Sequence, residues 1–417
     1  MCETIGRAMD LALSRRGVLT GGSALAGSAA LSAVFGGTAD AAQPAPGPRA
    51  GASEDVADFR TQLVLLGTAG GPPWWPGTAR AGFSCAMVVN GGVYVVDFGD
   101  GSGRRFKQAA LVPPELRTPG GLWGEETLRG MFVTHLHSDH VADYFNYFML
   151  GWYNGITAAK KGRPVRVFGP GRRVDDDGNV VMEPIVAPPG FPAPPVPVIN
   201  PENPVPGIAD TTNYLYQAFA LDLNDRMRDN LRPDLRAIFD VHDIQVPKGI
   251  GYHPNRNPSP SGMDPIPVYQ DENVAVTATL VLHLPVAPAF GFRFDTADGS
   301  VVFSGDTGPS DNLIRLAKDA DILVHEVIDP AWLEVLFPPP TTPVEELLKE
   351  HLLATHTTID DVGTVAEMAG VRTLVLSHIV PGNAPRSHLM RASRRFSGRL
   401  VIGEDLMRFG VGRRQRG

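Results

Sequence analysis

The chain has 417 residues, 43% of them hydrophobic and 20% charged, with a formal net charge of −8. That apolar content suffices for a large core and excludes a disordered chain, and the acidic balance argues against a nucleic-acid binder, which needs a basic face. Two cysteines, Cys2 and Cys85, leave no room for a disulfide framework or a thiolate-rich metal site.

Taken in chain order, Ser14-Arg15-Arg16-Gly17-Val18-Leu19 leads into a Gly-, Ala- and Ser-rich apolar stretch from Gly21 to Phe35, followed by Ala39-Asp40-Ala41. Residues 1–41 resemble a twin-arginine export signal cut before Ala42, which implies the twin-arginine export machinery as a partner and a periplasmic or secreted destination. The apolar run is too short and too Gly-broken for a transmembrane anchor. Residues 42–57 are a Pro/Gly/Ala linker, and the folded domain is expected over 58–412, with 413–417 as a tail.

The pattern from Gln62 to Leu66 predicts a strand that ends in the Gly-rich turn Gly67-Thr68-Ala69-Gly70-Gly71-Pro72-Pro73. This turn lacks the Lys-Ser/Thr ending of a nucleotide-binding loop. Ser84–Val89 and Val93–Val96 read as strands joined through Asn90-Gly91-Gly92, with Cys85 as a buried structural thiol. Asp97 closes the second strand and is placed to brace a neighbouring loop. Leu128–Thr134 is a further strand, and it runs into His135-Leu136-His137-Ser138-Asp139-His140. On extended backbone His135 and His137 point the same way, while Asp139 and His140 stand where a helix over Val141–Trp152 begins. Imidazole with carboxylate and no thiolate is a donor set for zinc, with manganese or iron(II) as substitutes.

Val165-Arg166-Val167-Phe168-Gly169-Pro170 is another strand and turn. From 172 to 266 the pattern changes, Ala187 to Pro206 being Pro-dense and Leu215–Asn230 helical, so this stretch is expected to be an insertion or lid over the pocket. His242 and His253 lie within it as structural or surface residues, with His253 a candidate to touch substrate. Val274–Leu282 delivers His283. Phe290–Phe294 and Val301–Phe303 form a hairpin that ends in Ser304-Gly305-Asp306-Thr307, and Ile322–Val324 leads to His325-Glu326. Helices over Pro343–Leu353 and Ile359–Ala369 flank His356-Thr357-Thr358, and Thr373–Leu376 ends in Ser377-His378. Strand–helix alternation in both halves predicts an α/β fold, a four-layer αβ/βα sandwich with sheets inside and helices outside.

The set His135-x-His137-x-Asp139-His140, then His283, Asp306 and His378, resembles the metallo-β-lactamase superfamily. Leu66 to Pro72, Val96-Asp97-Phe98-Gly99, Ser304-Gly305-Asp306-Thr307, Val324-His325-Glu326 and His356-Thr357-Thr358 resemble its branch of ribonuclease Z, zinc phosphodiesterases and arylsulfatase-like hydrolases. The resemblance implies two Zn2+ per chain. His135, His137 and His283 would hold one ion, Asp139, His140 and His378 the other, and Asp306 both, with hydroxide generated at neutral pH. Asp139 and His356 take the catalytic roles, Asp139 toward the attacking water and His356 toward the leaving oxygen. His325 and Glu326 support His356 or the pocket wall. The expected activity is hydrolysis of a small sulfate or phosphate ester. Trp74, Trp75, Phe145, Tyr147, Trp152 and Trp332 are candidates for an apolar wall around an aryl group. The same scaffold admits a lactonase or other acyl-ester hydrolase. A ribonuclease Z-like endonuclease fits less well, because the basic, Gly-rich arm of that enzyme is not visible and an exported protein meets no tRNA precursors. Relatives in the branch often form homodimers, which the resemblance implies here.

Overall fold

Strand alternation sets the layers. In β1 (Thr61–Gly67), Leu63 and Leu65 face one way and Val64 and Leu66 the other, and all four are buried. β2 (Ser84–Val89), β3 (Gly92–Val96), β4 (Leu128–Phe132), β5 (Val165–Pro170) and β6 (Phe239–Ile244) continue that sheet. The second sheet comprises β7 (Ile266–Gln270), β8 (Val274–Leu280), β9 (Phe290–Thr296), β10 (Ser300–Phe303), β11 (Ile322–Ile328), β12 (Thr373–Val380) and β13 (Arg399–Ile402). The last strand, β14 (Arg408–Val411), returns to the first sheet and pairs antiparallel with β1. This computed structural model describes residues 56, 58–112, 117, 124–156, 163–184 and 195–412. The expected export signal, the linker apart from Val56, the tail 413–417 and part of the Pro-dense stretch lie outside the described residues.

The strand orders are β14-β1-β2-β3-β4-β5-β6 and β13-β12-β11-β10-β9-β8-β7. Each sheet is antiparallel at one end and parallel at the other, the parallel runs being β3-β4-β5-β6 and β10-β11-β12-β13. Between the sheets lies one apolar layer. Leu63, Leu65, Cys85, Met87 and Phe132 from the first meet Phe290, Phe292, Phe294 and Phe303 from the second. Phe132 packs edge-on against Phe292 and Phe294 at 5.7 and 5.1 Å between centroids, and each such side chain removed from water contributes roughly 1.5–3 kcal/mol. A second layer joins the first sheet to helices carrying Phe106, Tyr144 and Phe148, and a third joins the second sheet to the helix Ile359–Ala369. The result is the four-layer αβ/βα sandwich that the alternation predicts.

Three expectations are corrected by the packing. The expected helix after the His cluster is broken into Ser138–Val141, Tyr144–Met149 and a 3-10 turn Gly151–Tyr153. Phe145, Tyr147 and Trp152 are buried in the layer beneath it, so they form core rather than a substrate wall. The 172–266 stretch is not a lid as a whole. Its helices Ile208–Ala218 and Ala220–Arg228 cover the outer face of the first sheet through Ile208 and Leu223, and β6 is that sheet's edge strand. Among the described residues, no helix is long and apolar enough to cross a membrane.

Candidate metal centre

The site forms where parallel strands end and loops from both sheets meet. After β4 the chain bends at Thr134 and enters the helix Ser138–Val141 through His137, an N-cap in extended conformation. His135 and His137 thus precede the helix, while Asp139 and His140 ride its first turn. Asp97, buried just after β3, braces this turn by accepting the Thr134 backbone N–H at 2.8 Å and the Thr134 hydroxyl at 2.7 Å, and it faces His140 Nδ1 at 2.8 Å. Gly99 lets the Asp97 loop press against the ligand turn, since a Cβ there would stand 2.7 Å from the Asp139 carbonyl oxygen.

The second sheet supplies the other half. His283 follows β8 and uses Nδ1–H to donate to Thr355 O at 3.0 Å, which leaves Nε2 as the lone-pair nitrogen facing His137 Nδ1 at 3.2 Å. His135 Nε2 is 3.1 Å from the same His137 nitrogen. Three imidazoles therefore converge on one point. His378 lies within β12, opposite a register shift between His325 and Val327 of β11, at a left-handed φ of 45°. A bulge re-aims a strand side chain, and a positive φ at a bulky residue is a conformation held by its surroundings. His378 Nε2 comes to 3.2 Å from Asp139 Oδ2. Gly70 makes this possible, because a Cβ there would overlap the His378 ring.

Asp306 joins the two clusters. Its Oδ1 is 3.3 Å from both His140 Nε2 and His378 Nε2, and its Oδ2 is 3.9 Å from His135 Nε2 and 3.8 Å from His283 Nε2. The ligand atoms of His135, His137 and His283 form one group, and those of Asp139, His140, Asp306 and His378 another. His140 Nε2 and Asp306 Oδ1 are buried with no hydrogen-bond partner, although both face the shared space. Orphaned polar atoms of this kind are costly unless something binds them, and the donor set suits divalent cations. Burial holds His135 and His283 well below the usual imidazole range, so both are neutral, the form that ligates. Burial would raise Asp306, but His378 and His140 overcome it and keep the carboxylate ionised.

His356 closes a third side, grouped with His283 and Asp306. Its ring lies 5.0 Å from that of His283, and its Nδ1 faces Glu326 Oε1 at 3.0 Å. Burial opposes charge on His356, yet the Glu326 carboxylate, followed by Asp306 and Asp139, lifts it to about 9. Glu326 is fixed in turn, because the same oxygen accepts Thr307 N–H at 2.8 Å and Thr357 N–H at 3.4 Å. His325 turns away from this pair and bonds its Nδ1 to the Glu326 backbone oxygen at 2.7 Å. His242 pairs with Asp240, and His253 accepts the Asn255 N–H; both stand outside the three groups.

All seven proposed ligands and His356 thus come together, and two further residues emerge that the sequence reading did not single out. Buried Arg173 donates to Pro285 O at 2.9 Å, to Val181 O at 2.6 Å and to Asn255 Oδ1, clamping the loop just after His283. His351, on the helix Pro343–Thr355, lies close enough to His356 and His137 to feel their charge. Neither carries a local sequence signal, since each acts through the tertiary packing of a distant segment.

Residues 228–379 match the family model described as a β-lactamase superfamily domain. Over 353 residues the chain is 28% identical to the ribonuclease Z of Mycobacterium sp. (strain KMS), covering 84% of this chain and 96% of that protein. It is 29% identical to the ribonuclease Z of Mycobacterium avium (strain 104), at 84% and 98% coverage. Among solved structures it is similar in fold to the short form of human tRNase Z, with a TM-score of 0.51, 17% identity and coverage of 84% and 99%. The metallo-β-lactamase-fold protein YhfI of Bacillus subtilis aligns with a TM-score of 0.50, 14% identity and coverage of 84% and 98%.

Proposed function

We propose that the chain, whose residues 228–379 match a β-lactamase superfamily domain, is a dinuclear metal-dependent hydrolase that cleaves a phosphodiester. The observation that carries this reading is Asp306, whose two oxygens face the two ligand groups separately. The near full-length likeness to proteins named ribonuclease Z supports phosphodiester chemistry. The net charge of −8 supports a small diester over a folded RNA. The thiolate-free donor set supports zinc, with manganese or iron(II) as substitutes. The features of residues 1–41 support export before the enzyme acts.

The seven side chains would hold two divalent cations, whose chemistry would be to lower the pKa of water and offset charge on the ester oxygens. The chain's own residues do the rest. Asp139, besides its place in the second group, orients the attacking water by accepting a hydrogen bond. His356, kept protonated by Glu326, delivers a proton to the leaving oxygen. Asp97 and Thr355 O fix the remote nitrogens of His140 and His283, so the ligating nitrogens need no reorganisation.

The test is turnover of bis(4-nitrophenyl) phosphate, 4-nitrophenyl phosphate, 4-nitrophenyl sulfate and an acyl-homoserine lactone by zinc-loaded protein. The diester is expected to be the fastest substrate, and chelation should abolish its cleavage. Faster sulfate cleavage or lactone opening would replace the phosphodiester reading. Inertness toward all four would defeat the hydrolase reading.

A further inference from the structure

The Gly-rich turn after β1 runs alongside His378. Gly70 N–H donates to Ile379 O and Ile379 N–H donates to Thr68 O, each at 3.0 Å, so the turn is zipped to β12 immediately after His378. From there the Gly71 backbone N–H reaches into the second ligand group and donates to His378 Nε2 at 3.3 Å, the nitrogen that also lies 3.2 Å from Asp139 Oδ2. Gly71 holds a left-handed φ of 77°, which glycine adopts without strain. The direction of its N–H is fixed from behind. In a trans peptide the C=O and N–H point opposite ways, and Gly70 O accepts the indole N–H of buried Trp75 at 2.8 Å. The carbonyl is thereby held in the interior and the amide hydrogen in the site. Trp75 is itself packed edge-on against Trp332 at 5.3 Å between centroids. Asp405, just before β14, pins the start of the turn by accepting the Thr68 hydroxyl at 2.8 Å and the Ala81 N–H at 2.7 Å.

A neutral imidazole nitrogen that accepts has one lone pair. Once the Nε2 pair of His378 ligates, the Gly71 N–H loses its acceptor and stands beside the second group with a hydrogen to donate. We propose that the Gly71 backbone N–H is a catalytic donor, which bonds a non-bridging oxygen of the ester as that oxygen takes up charge in the transition state. Trp75 is then a positioning residue that aims the donor and does not itself meet the ligand. This rests on the hydrolase reading of the site and adds to it a group from the main chain.

The experiment compares zinc-loaded wild type with two variants. Glycolic acid placed at position 71 by nonsense suppression replaces the one N–H with an oxygen and keeps the path of the chain. Trp75→Phe keeps a ring against Trp332 and frees the Gly70–Gly71 peptide to rotate. On bis(4-nitrophenyl) phosphate the glycolate protein should lose about a hundredfold in kcat with KM little changed, and Trp75→Phe about tenfold. Zinc content should stay at the wild-type value in both. Calorimetric titration with orthovanadate, a phosphoryl transition-state mimic, and with inorganic phosphate gives a readout independent of turnover. The glycolate protein should bind vanadate about tenfold more weakly and phosphate nearly as well as wild type. Wild-type kcat and vanadate affinity in the glycolate protein would overturn the proposal. So would a fall in its zinc content, which would make the amide a prop for His378 instead. Wild-type values in Trp75→Phe would strike Trp75 from it, and would overturn it outright if the glycolate protein did not fold. Weakened vanadate binding in a chain whose wild type hydrolyses no ester would sink the hydrolase reading and leave the donor standing.

Discussion

Glu326 shows how one buried carboxylate can set the state of a catalytic imidazole. Its Oε1 serves His356 and two backbone N–H groups, so replacing it with Gln keeps the shape and removes the charge that favours protonated His356. We expect Glu326→Gln to lower kcat by about a hundredfold with little change in KM, while metal content measured by plasma emission stays at the wild-type value. Asp306→Asn should behave differently, because it takes an anionic oxygen from between both groups. Metal content should fall below two ions per chain, and kcat should fall with it. His325 supplies a pH prediction. Burial lowers its pKa from 6.5 to about 4, since its Nε2 has no partner and the charged form is poorly accommodated. The unfolded chain therefore takes up a proton between pH 6.5 and 4 that the folded chain refuses. Stability should be complete above pH 6.5 and fall as the pH drops toward 4, by up to roughly 3 kcal/mol. Urea denaturation across that range should show this slope reduced in His325→Phe.

Among the elements, those with a strong local code were legible from the residues alone. The strand Ser84–Val89 and the helix Ile359–Ala369 agree with their expected bounds. The helix Pro343–Thr355 extends two residues past its expected end, and it starts with a capping box in which Thr342 N–H donates to Glu345 Oε2 at 2.7 Å. Thr342→Ala should cost about 1 kcal/mol, read by thermal melting. Less legible were the edge strands β6, β7, β13 and β14, whose short or half-exposed patterns say little until a neighbour defines their two faces. The mid-chain stretch misled for the same reason: Pro-dense flanks suggested a lid, whereas Ile208 and Leu223 are drawn onto the sheet. Among its described residues, Arg173 contributes to the centre as a side chain reaching across sequence. Arg173→Met should leave Pro285 O, Val181 O and Asn255 without their shared donor and loosen the His283 loop. The ion held by His135, His137 and His283 is the one expected to weaken, by tenfold or more in competition with a zinc-sensitive dye.

For the molecule as a whole, the candidate site could be read from sequence because its residues recur at strand ends, where the fold itself places a mouth. Their grouping could not, because it depends on the bulge at His378, on the brace from Asp97 and on the meeting of two sheets. His135, His137, Asp139 and His140 come from the first sheet and His283, Asp306 and His378 from the second, while β14 crosses back to lie beside β1. A ribosome emits these parts in order, and β14 follows all seven ligands. A nascent chain halted after β11 would own six of the seven ligands but lack His378 and the closing strand. Acquisition of a full cation pair would therefore have to wait for β12 and for the docking of both halves.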